Sequence, residues 1–167
     1  GWRTTATDGK IEIWANSFGS VTSKEGTQHA ELNATQVSTL YQDVAGIASG
    51  SVVGFQFAHR GRAGVDVMKF TLTDLGPDGV VGGGNDTVLF TQQYSDGTSS
   101  WGFYTGTGIV TLGNTVRFAF ASISSGGGSE SGNFLDDVAS GIGVSVPTPA
   151  IDPCCPPCPM DMALYML

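Results

Sequence analysis

The sequence predicts an all-β domain built as a two-sheet antiparallel sandwich. The chain has 167 residues, a length that suits one domain with a substantial hydrophobic core. It contains 25 glycines and only 13% charged residues, a composition that favours many turns over long helices. Short segments of alternating apolar and polar residues recur along the chain, and turn residues separate them.

Period-two alternation defines the individual strands. In the clearest one, Val53, Phe55 and Phe57 share one face. Phe118 and Phe120 share a face in a later strand, and we expect all four phenylalanines to be buried between the sheets. In chain order, strands are predicted at residues 11–14, 29–34, 39–44, 51–59, 66–75, 87–94, 101–104, 109–112, 116–123 and 134–138.

The longest predicted loop spans residues 76–86. Its segment Gly82–Asp86 looks like one turn of a calcium-binding repeat rich in glycine and aspartate. A single copy cannot build such a solenoid, because each turn takes ligands and core from its neighbours. We therefore interpret residues 76–86 as an ordinary hairpin loop.

Charge and hydropathy narrow the classes of partner. The formal net charge is −8, and no basic cluster exceeds Arg60 and Arg62. Nucleic acid is excluded as a partner, because duplex binding requires a positive surface. No apolar run is long enough to span a membrane, and no signal peptide is visible in the chain.

The composition changes abruptly at Pro147, which divides the chain into a domain at 1–146 and a tail at 147–167. Six prolines make the first part of the tail a stiff, extended linker. Its three cysteines are an odd number, which favours an interchain disulfide or free thiols over a closed zinc site, since zinc needs a fourth ligand. The expected interchain contacts are Cys154, Cys155, Cys158, Leu164, Tyr165 and Leu167.

Four segments resemble a known family in their order and spacing: Ile11–Trp14, Glu25–Asn33, Tyr41–Val44 and Asn133–Val138. They are similar to the galactose-binding-like jelly rolls, the fold of many carbohydrate-binding modules. The resemblance covers about residues 2–144 and implies a jelly-roll sandwich. It also implies that one N-terminal strand of the family is missing here, either because the chain is a piece of a longer polypeptide or because a partner supplies that strand.

The same resemblance implies a structural calcium ion, because an aspartate of the last strand holds one in many such modules. Calcium takes six to eight oxygen ligands. The alternative is that these side chains accept backbone hydrogen bonds and cap turns. The candidate ligands are Glu25, Glu31, Asn33, Asp136 and Asp137.

Ligand recognition requires aromatic and planar polar side chains on the faces away from the core. By strand parity, Trp14, Gln56, Arg60 and Arg117 fall on such faces, and we expect them to share one surface. The alternative, which the acidic composition favours, is that Arg60 and Arg62 pair with Glu12, Glu31 or Asp66 and do not meet a ligand. Trp101 is interpreted as a buried framework residue.

Catalysis has little support in the sequence. No nucleophile elbow, zinc-protease helix motif or phosphate loop is present. Glu12 and Glu31 are carboxylates of the type that glycosidases use, but their spacing does not select that role. The sequence predicts a protein that is not an enzyme.

Two functions remain. In the first, the chain is an adhesion module that binds glycans at an extracellular, virion or cell surface. In the second, it is a homo-oligomeric structural subunit of a filament, sheath or virion, assembled through its open edge and its tail.

Overall fold

The computed structural model describes residues 1–143 of the protein. This part of the chain contains one short 3-10 helix, Phe18–Ser20, and ten β-strands. No helix in it is long and apolar enough to cross a membrane. The strands are β1 (Arg3–Thr4), β2 (Glu12–Ala15), β3 (Gln28–Glu31), β4 (Thr39–Ile47), β5 (Val52–Arg60), β6 (Asp66–Asp74), β7 (Thr87–Asp96), β8 (Gly102–Ile109), β9 (Asn114–Ser124) and β10 (Phe134–Ile142).

The strands form two five-stranded antiparallel sheets. Sheet A has the order β1-β4-β9-β6-β7, and sheet B has the order β2-β3-β10-β5-β8. Neighbours in each sheet are mostly distant in sequence, as in a jelly roll, where the chain crosses repeatedly between sheets. The predicted all-β, two-sheet antiparallel jelly-roll sandwich is confirmed.

An aromatic core lies between the two sheets. Phe55 and Phe57 of sheet B pack against Phe70 and Phe120 of sheet A, and Phe118 extends the same layer. Ring centroids are 4.5 Å apart for Phe55 and Phe70 and 5.2 Å apart for Phe57 and Phe120. All four phenylalanines predicted to be buried are therefore in the core.

One strand differs from the prediction. Residues 101–104 and 109–112 were expected to form two strands, but residues 102–109 form one strand, β8, which pairs with β5 along its whole length, and residues 110–112 lie outside it. Gly106, which lies between the two predicted strands, is inside β8. A Cβ atom at Gly106 would collide with the ring of Phe55, so the glycine here provides space for a core side chain.

Strand ends also differ from the sequence-based limits. β4 continues beyond its predicted end at Val44 as far as Ile47, and β10 extends beyond Val138 to Ile142. β10 is interrupted by a register shift between Asp136 and Ala139, where Asp137 has a φ of 50°. The segment at 76–86 does connect β6 to β7 as a hairpin loop, as predicted.

A buried aspartate stands at each end of β6. Asp74 accepts backbone hydrogen bonds at one end of the sandwich, and Asp66 does so at the other. Burial raises the pKa of Asp74, but four backbone N–H donors outweigh burial and hold the pKa below its usual range. Both carboxylates tie loops to the sheet. The N–H donors are Gly76, Thr111, Leu112 and Gly113 for Asp74, and Arg62, Gly126 and Asn133 for Asp66.

Candidate functional site

The outer face of sheet A has small side chains at its centre and taller polar ones on either side. Ala119 and Ala121 of the central strand β9 point outward, because their neighbours Phe118 and Phe120 point into the core. Tyr41 lies directly opposite Ala119 on one side, and Lys69 lies opposite Ala121 on the other. We call the strip of small side chains at Ala119 and Ala121, between these larger neighbours, the trough.

A rigid cluster of three residues forms one wall of this trough. The Arg117 guanidinium donates to both oxygens of Asp43, with Nε···Oδ1 2.6 Å and Nη2···Oδ2 2.8 Å. It also lies 3.9 Å from the centre of the Tyr41 ring. The hydrogen bonds that Arg117 donates to Asp43 raise the pKa of Arg117, although burial opposes them. The cluster presents planar groups in a fixed orientation.

Polar side chains of β6 and β7 form the opposite wall. Thr71 and Thr91 are cross-strand partners whose hydroxyl oxygens are 3.2 Å apart. Lys69 and Gln93 form the next cross-strand pair on the same face. Hydroxyl, amide and ammonium groups provide both donors and acceptors for a polyhydroxylated ligand.

The four residues predicted to share a ligand surface do not do so. Arg117 lies on sheet A, whereas Gln56 and Arg60 lie on β5 of sheet B, on the opposite side of the sandwich. Gln56 donates to Asp137 (2.9 Å), and Arg60 donates to the carbonyl of Thr98. The prediction of one shared surface is wrong, because strand parity identifies a face but not the sheet to which a strand belongs.

Trp14 is buried, so the prediction that it lies on an open face is also wrong. The residue points away from the main core, but the segment at 16–27 covers that part of sheet B. Trp14, Val21 and Phe134 form a second hydrophobic cluster, against which Trp101 packs as a framework residue. The ring centroids of Trp14 and Phe134 are 5.2 Å apart.

Glu31 is paired with an arginine, as the alternative interpretation expected. Arg62 Nη1 lies 2.9 and 3.0 Å from the two Glu31 oxygens, and the guanidinium lies 4.5 Å from the centre of the Trp14 ring. Burial raises the pKa of Glu31, although Gly132 and Arg62 donate to it. Glu12 lies opposite Glu31 in the sheet, but an arginine-bound carboxylate does not suit a glycosidase pair.

Of the candidate calcium ligands, Glu31, Asp136 and Asp137 are hydrogen-bonded to other residues of the protein. Asp136 Oδ2 accepts the backbone N–H groups of Lys24 and Glu25, at 2.6 and 3.1 Å. Asn33 is buried, and neither of its amide atoms has a hydrogen-bond partner within the described part of the chain. Across residues 1–143, no group of three or more His, Cys, Asp or Glu side chains is arranged to hold a metal ion. Calcium binding stays a prediction.

A buried polar network surrounds His59. The sequence did not indicate it. His59 Nδ1 lies 2.7 Å from Asp96, and its Nε2 lies 3.0 Å from the Asn133 amide oxygen. Tyr104 also donates to Asp96, and burial followed by that hydrogen bond raises the pKa of Tyr104 to about 12. His59 is fully buried, and the network links β5 to β7, to β8 and to the residue before β10, so it joins strands of both sheets. Its members are far apart in sequence, so no spacing motif reveals them.

Tyr41, Asp43 and the β6–β7 residues are the site residues that the sequence analysis missed. Parity along residues 39–44 already separates Tyr41 from the core-facing Leu40. The pairing of β4 with β9, which brings Tyr41 and Asp43 to Arg117, appears only in the fold. The predicted contact residues Cys154, Cys155, Cys158, Leu164, Tyr165 and Leu167 lie outside the described residues.

The architecture is that of the carbohydrate-binding-module type of β-sandwich. No protein-family model matches the sequence, and no curated protein matches it either. Solved structures do share the fold. A xylan-binding CBM22-1 domain from Paenibacillus barcinonensis Xyn10C is similar with a TM-score of 0.59 and 12% identity over 85% of each chain.

Two further solved structures share the fold. TmCBM61, solved in complex with β-1,4-galactotriose, has a TM-score of 0.54 and 18% identity, covering 84% of this chain and 87% of its own. The enzymatically active domain of tailspike protein 4 from bacteriophage CBA120 has a TM-score of 0.51 and 15% identity, covering 85% of this chain but 19% of its own. At these identities the similarity establishes the fold alone.

Proposed function

We propose that this chain is a non-catalytic glycan-binding module whose ligand lies in the trough on the outer face of sheet A. The observation that carries the proposal is the Tyr41–Asp43–Arg117 cluster beside Ala119 and Ala121. It combines an aromatic ring, a fixed guanidinium plane and space for a sugar ring. Sugars bind through stacking and directional hydrogen bonds, and this wall supplies both.

Two features favour binding over hydrolysis. Inverting and retaining glycosidases need two available carboxyl groups across the scissile bond. In the trough, the Asp43 carboxylate is held by both Arg117 donors and is therefore a poor general acid or base. The structural neighbours add support, because they include a xylan-binding domain and a complex with β-1,4-galactotriose.

The test is a binding measurement with a panel of soluble polysaccharides that includes xylan and β-1,4-galactan. Affinity electrophoresis would identify the ligand, and calorimetry would then compare wild type with Tyr41→Ala and Thr71→Ala. We expect Tyr41→Ala to weaken binding by about tenfold or more, which corresponds to about 1.4 kcal/mol. Thr71→Ala should weaken it less.

The matched control is Phe103→Ala on the opposite side of the sandwich. Phe103 is an exposed aromatic residue on β8 of sheet B, 41% accessible, and it lies on the same face as Gln56. This substitution should leave glycan affinity unchanged. Equal losses in Tyr41→Ala and Phe103→Ala, or no binding to any glycan by wild type, would contradict the proposal.

The second candidate function is that of a homo-oligomeric structural subunit in an extracellular assembly, such as a filament or virion surface. A separate observation favours it: within residues 1–143, strands β4 and β10 each leave part of one edge without a neighbouring strand. Open edges accept strands from partners. Velocity sedimentation across a range of protein concentrations tests this function, and a concentration-independent monomer would contradict it.

A further inference from the structure

A cleft opens between the two sheets on the side where β4 and β10 lie. Its volume is about 650 Å³. The walls are largely apolar and include Leu40, Val44 and Ile47 from β4, together with Val53 and Leu135 from sheet B. Part of the hydrophobic interior is therefore accessible from outside, and contact of apolar surface with water is unfavourable.

The backbone of β10 forms one side of this cleft. β10 pairs with β5 as far as Ile142, but on its other side it pairs with β3 only at Phe134 and Leu135. In the described part of the chain, no strand pairs with residues 138–142 on that second side, and these residues line the cleft. An edge of this kind can accept an extended segment through main-chain hydrogen bonds.

The opposite side of the cleft is similarly open. β4 pairs with β1 only at Leu40 and Tyr41, so β1 covers just the beginning of this nine-residue strand. The rim carries three exposed isoleucines, Ile11, Ile13 and Ile142, which are 37%, 53% and 52% accessible. The cleft thus offers backbone partners along its edges and apolar contacts along its floor and rim, which suits an apolar β-strand.

We infer that this cleft binds residues 160–167 of a second copy of the chain as an added strand beside β10. In this segment Met160, Met162, Leu164 and Met166 occupy alternate positions and share one face when the segment is extended. Methionine side chains are unbranched and adapt to irregular apolar cavities. The segment therefore matches both the edge and the floor of the cleft.

The linker is the reason to place this strand in a second copy. Residues 144–159 include six prolines, so an extended polyproline geometry would span about 50 Å, at about 3.1 Å per residue. The open edge at 138–142 is only about 17 Å long, at about 3.3 Å per residue. A linker of this composition, if extended, would place residues 160–167 beyond their own cleft. The inference rests on the proposed assembly function and is independent of glycan binding.

The test compares the full chain with a variant that lacks residues 160–167, both in reducing buffer so that the tail cysteines cannot cross-link. Light scattering should show oligomers for the full chain and monomers for the deletion variant. A synthetic peptide of residues 160–167 should then bind the deletion variant and slow hydrogen exchange at the amides of residues 138–142. A peptide of the same composition with the alternation broken should bind at least about tenfold more weakly.

Ile142→Arg tests the binding surface, and Val88→Arg is its matched control. Both residues are exposed, at 52% and 58%, so neither substitution should prevent folding, but only Ile142 lines the cleft. Ile142→Arg should weaken peptide binding at least about tenfold, and Val88→Arg should not. A monomeric full chain, protection of residues 138–142 within a monomer, or equal effects of the two arginines would overturn the inference. Glycan affinity, measured in parallel, reports separately on the trough.

Discussion

Each outer face of the sandwich carries an arginine that packs on an aromatic ring and pairs with a carboxylate. On sheet A these residues are Arg117, Tyr41 and Asp43, and on sheet B they are Arg62, Trp14 and Glu31. The chemistry of the two clusters is almost the same, but their surroundings differ. On sheet B, Trp14 and Glu31 are buried and Arg62 is 32% exposed. On sheet A, all three residues of the cluster are partly exposed. Burial of the aromatic ring and of the carboxylate, and not residue type, therefore separates a stabilising cluster from a candidate binding surface.

Truncation of Trp14 and of Tyr41 to alanine should give the largest difference in stability between the two clusters. Trp14 is 7% exposed and contacts Phe18 and Phe134, so Trp14→Ala should lower the free energy of unfolding by about 3–5 kcal/mol. Tyr41→Ala should lower it by about 1 kcal/mol or less, because a half-exposed ring loses fewer contacts. Urea denaturation of both variants measures the difference. Similar losses would show that the sheet A cluster is also part of the hydrophobic core.

Removal of the two arginines should give a smaller difference in the same direction. Arg62→Ala leaves the Glu31 carboxylate, whose side chain is fully buried, without its charged partner. Because Arg62 itself is about one-third exposed, solvent reduces the expected loss to about 1–3 kcal/mol. Arg117→Ala leaves Asp43 accessible to water and should cost about 1 kcal/mol or less. Chemical denaturation at one pH compares the two, and a larger loss in Arg117→Ala would reverse the interpretation of the two faces.

The residues on the outer side of sheet B should also make the stability of the protein depend on pH, and those on the outer side of sheet A should not. Burial, and secondarily the charge of Arg60, lowers the pKa of His29 below 6.5. An unfolded chain then takes up the His29 proton at higher pH than the folded one, so this stability is complete above about pH 6.5 and declines as the pH falls below it. The raised pKa values of Glu31 and Asp136 act in the opposite direction, because the folded state binds those protons more readily.

Comparison of wild type with His29→Gln isolates the histidine contribution. The stability difference between the two proteins should be largest above pH 7 and should shrink as the pH falls to 5. Thermal melts in matched buffers across this range would measure it. Ser23→Ala, which removes the hydroxyl 3.0 Å from His29 Nδ1, tests whether that contact matters to the same effect. A pH-independent difference would mean that His29 does not titrate in this way.

Of the four changes considered, the addition of calcium should have the smallest effect on protein stability. Asp136 already accepts the N–H groups of Lys24, Glu25 and Asp137, so an ion would replace existing hydrogen bonds. We expect added calcium to stabilise the protein by about 1 kcal/mol at most through mass action. Melting of wild type and Asp136→Asn would be recorded with calcium and with a chelator. Identical melting temperatures of wild type in both conditions would contradict a stabilising calcium site.

The two clusters also show how far the sequence alone could be interpreted. Alternation correctly placed Arg117 away from the core and Phe118 within it, because successive strand residues point to opposite faces. The same rule placed Trp14 on the face away from the main core, and that orientation was correct. It failed to anticipate the 16–27 segment that covers Trp14, since parity contains no information about what packs on a face. The prediction of two strands in place of β8 failed for a related reason, because local sequence does not show that Phe55 fills the space beside Gly106.

The fold class, the four-phenylalanine core and the hairpin loop at 76–86 could be predicted from the sequence, because alternation and turn residues are local properties of the chain. The contact of Arg117 with Tyr41, and the position of Gln56 and Arg60 on the other sheet, depend on the tertiary structure. It alone decided that β10 and β4 leave their edges open beside one apolar cleft. Strand order depends on pairings between residues as far apart as Tyr41 and Ala119, and no local pattern encodes which distant strand a given strand will meet.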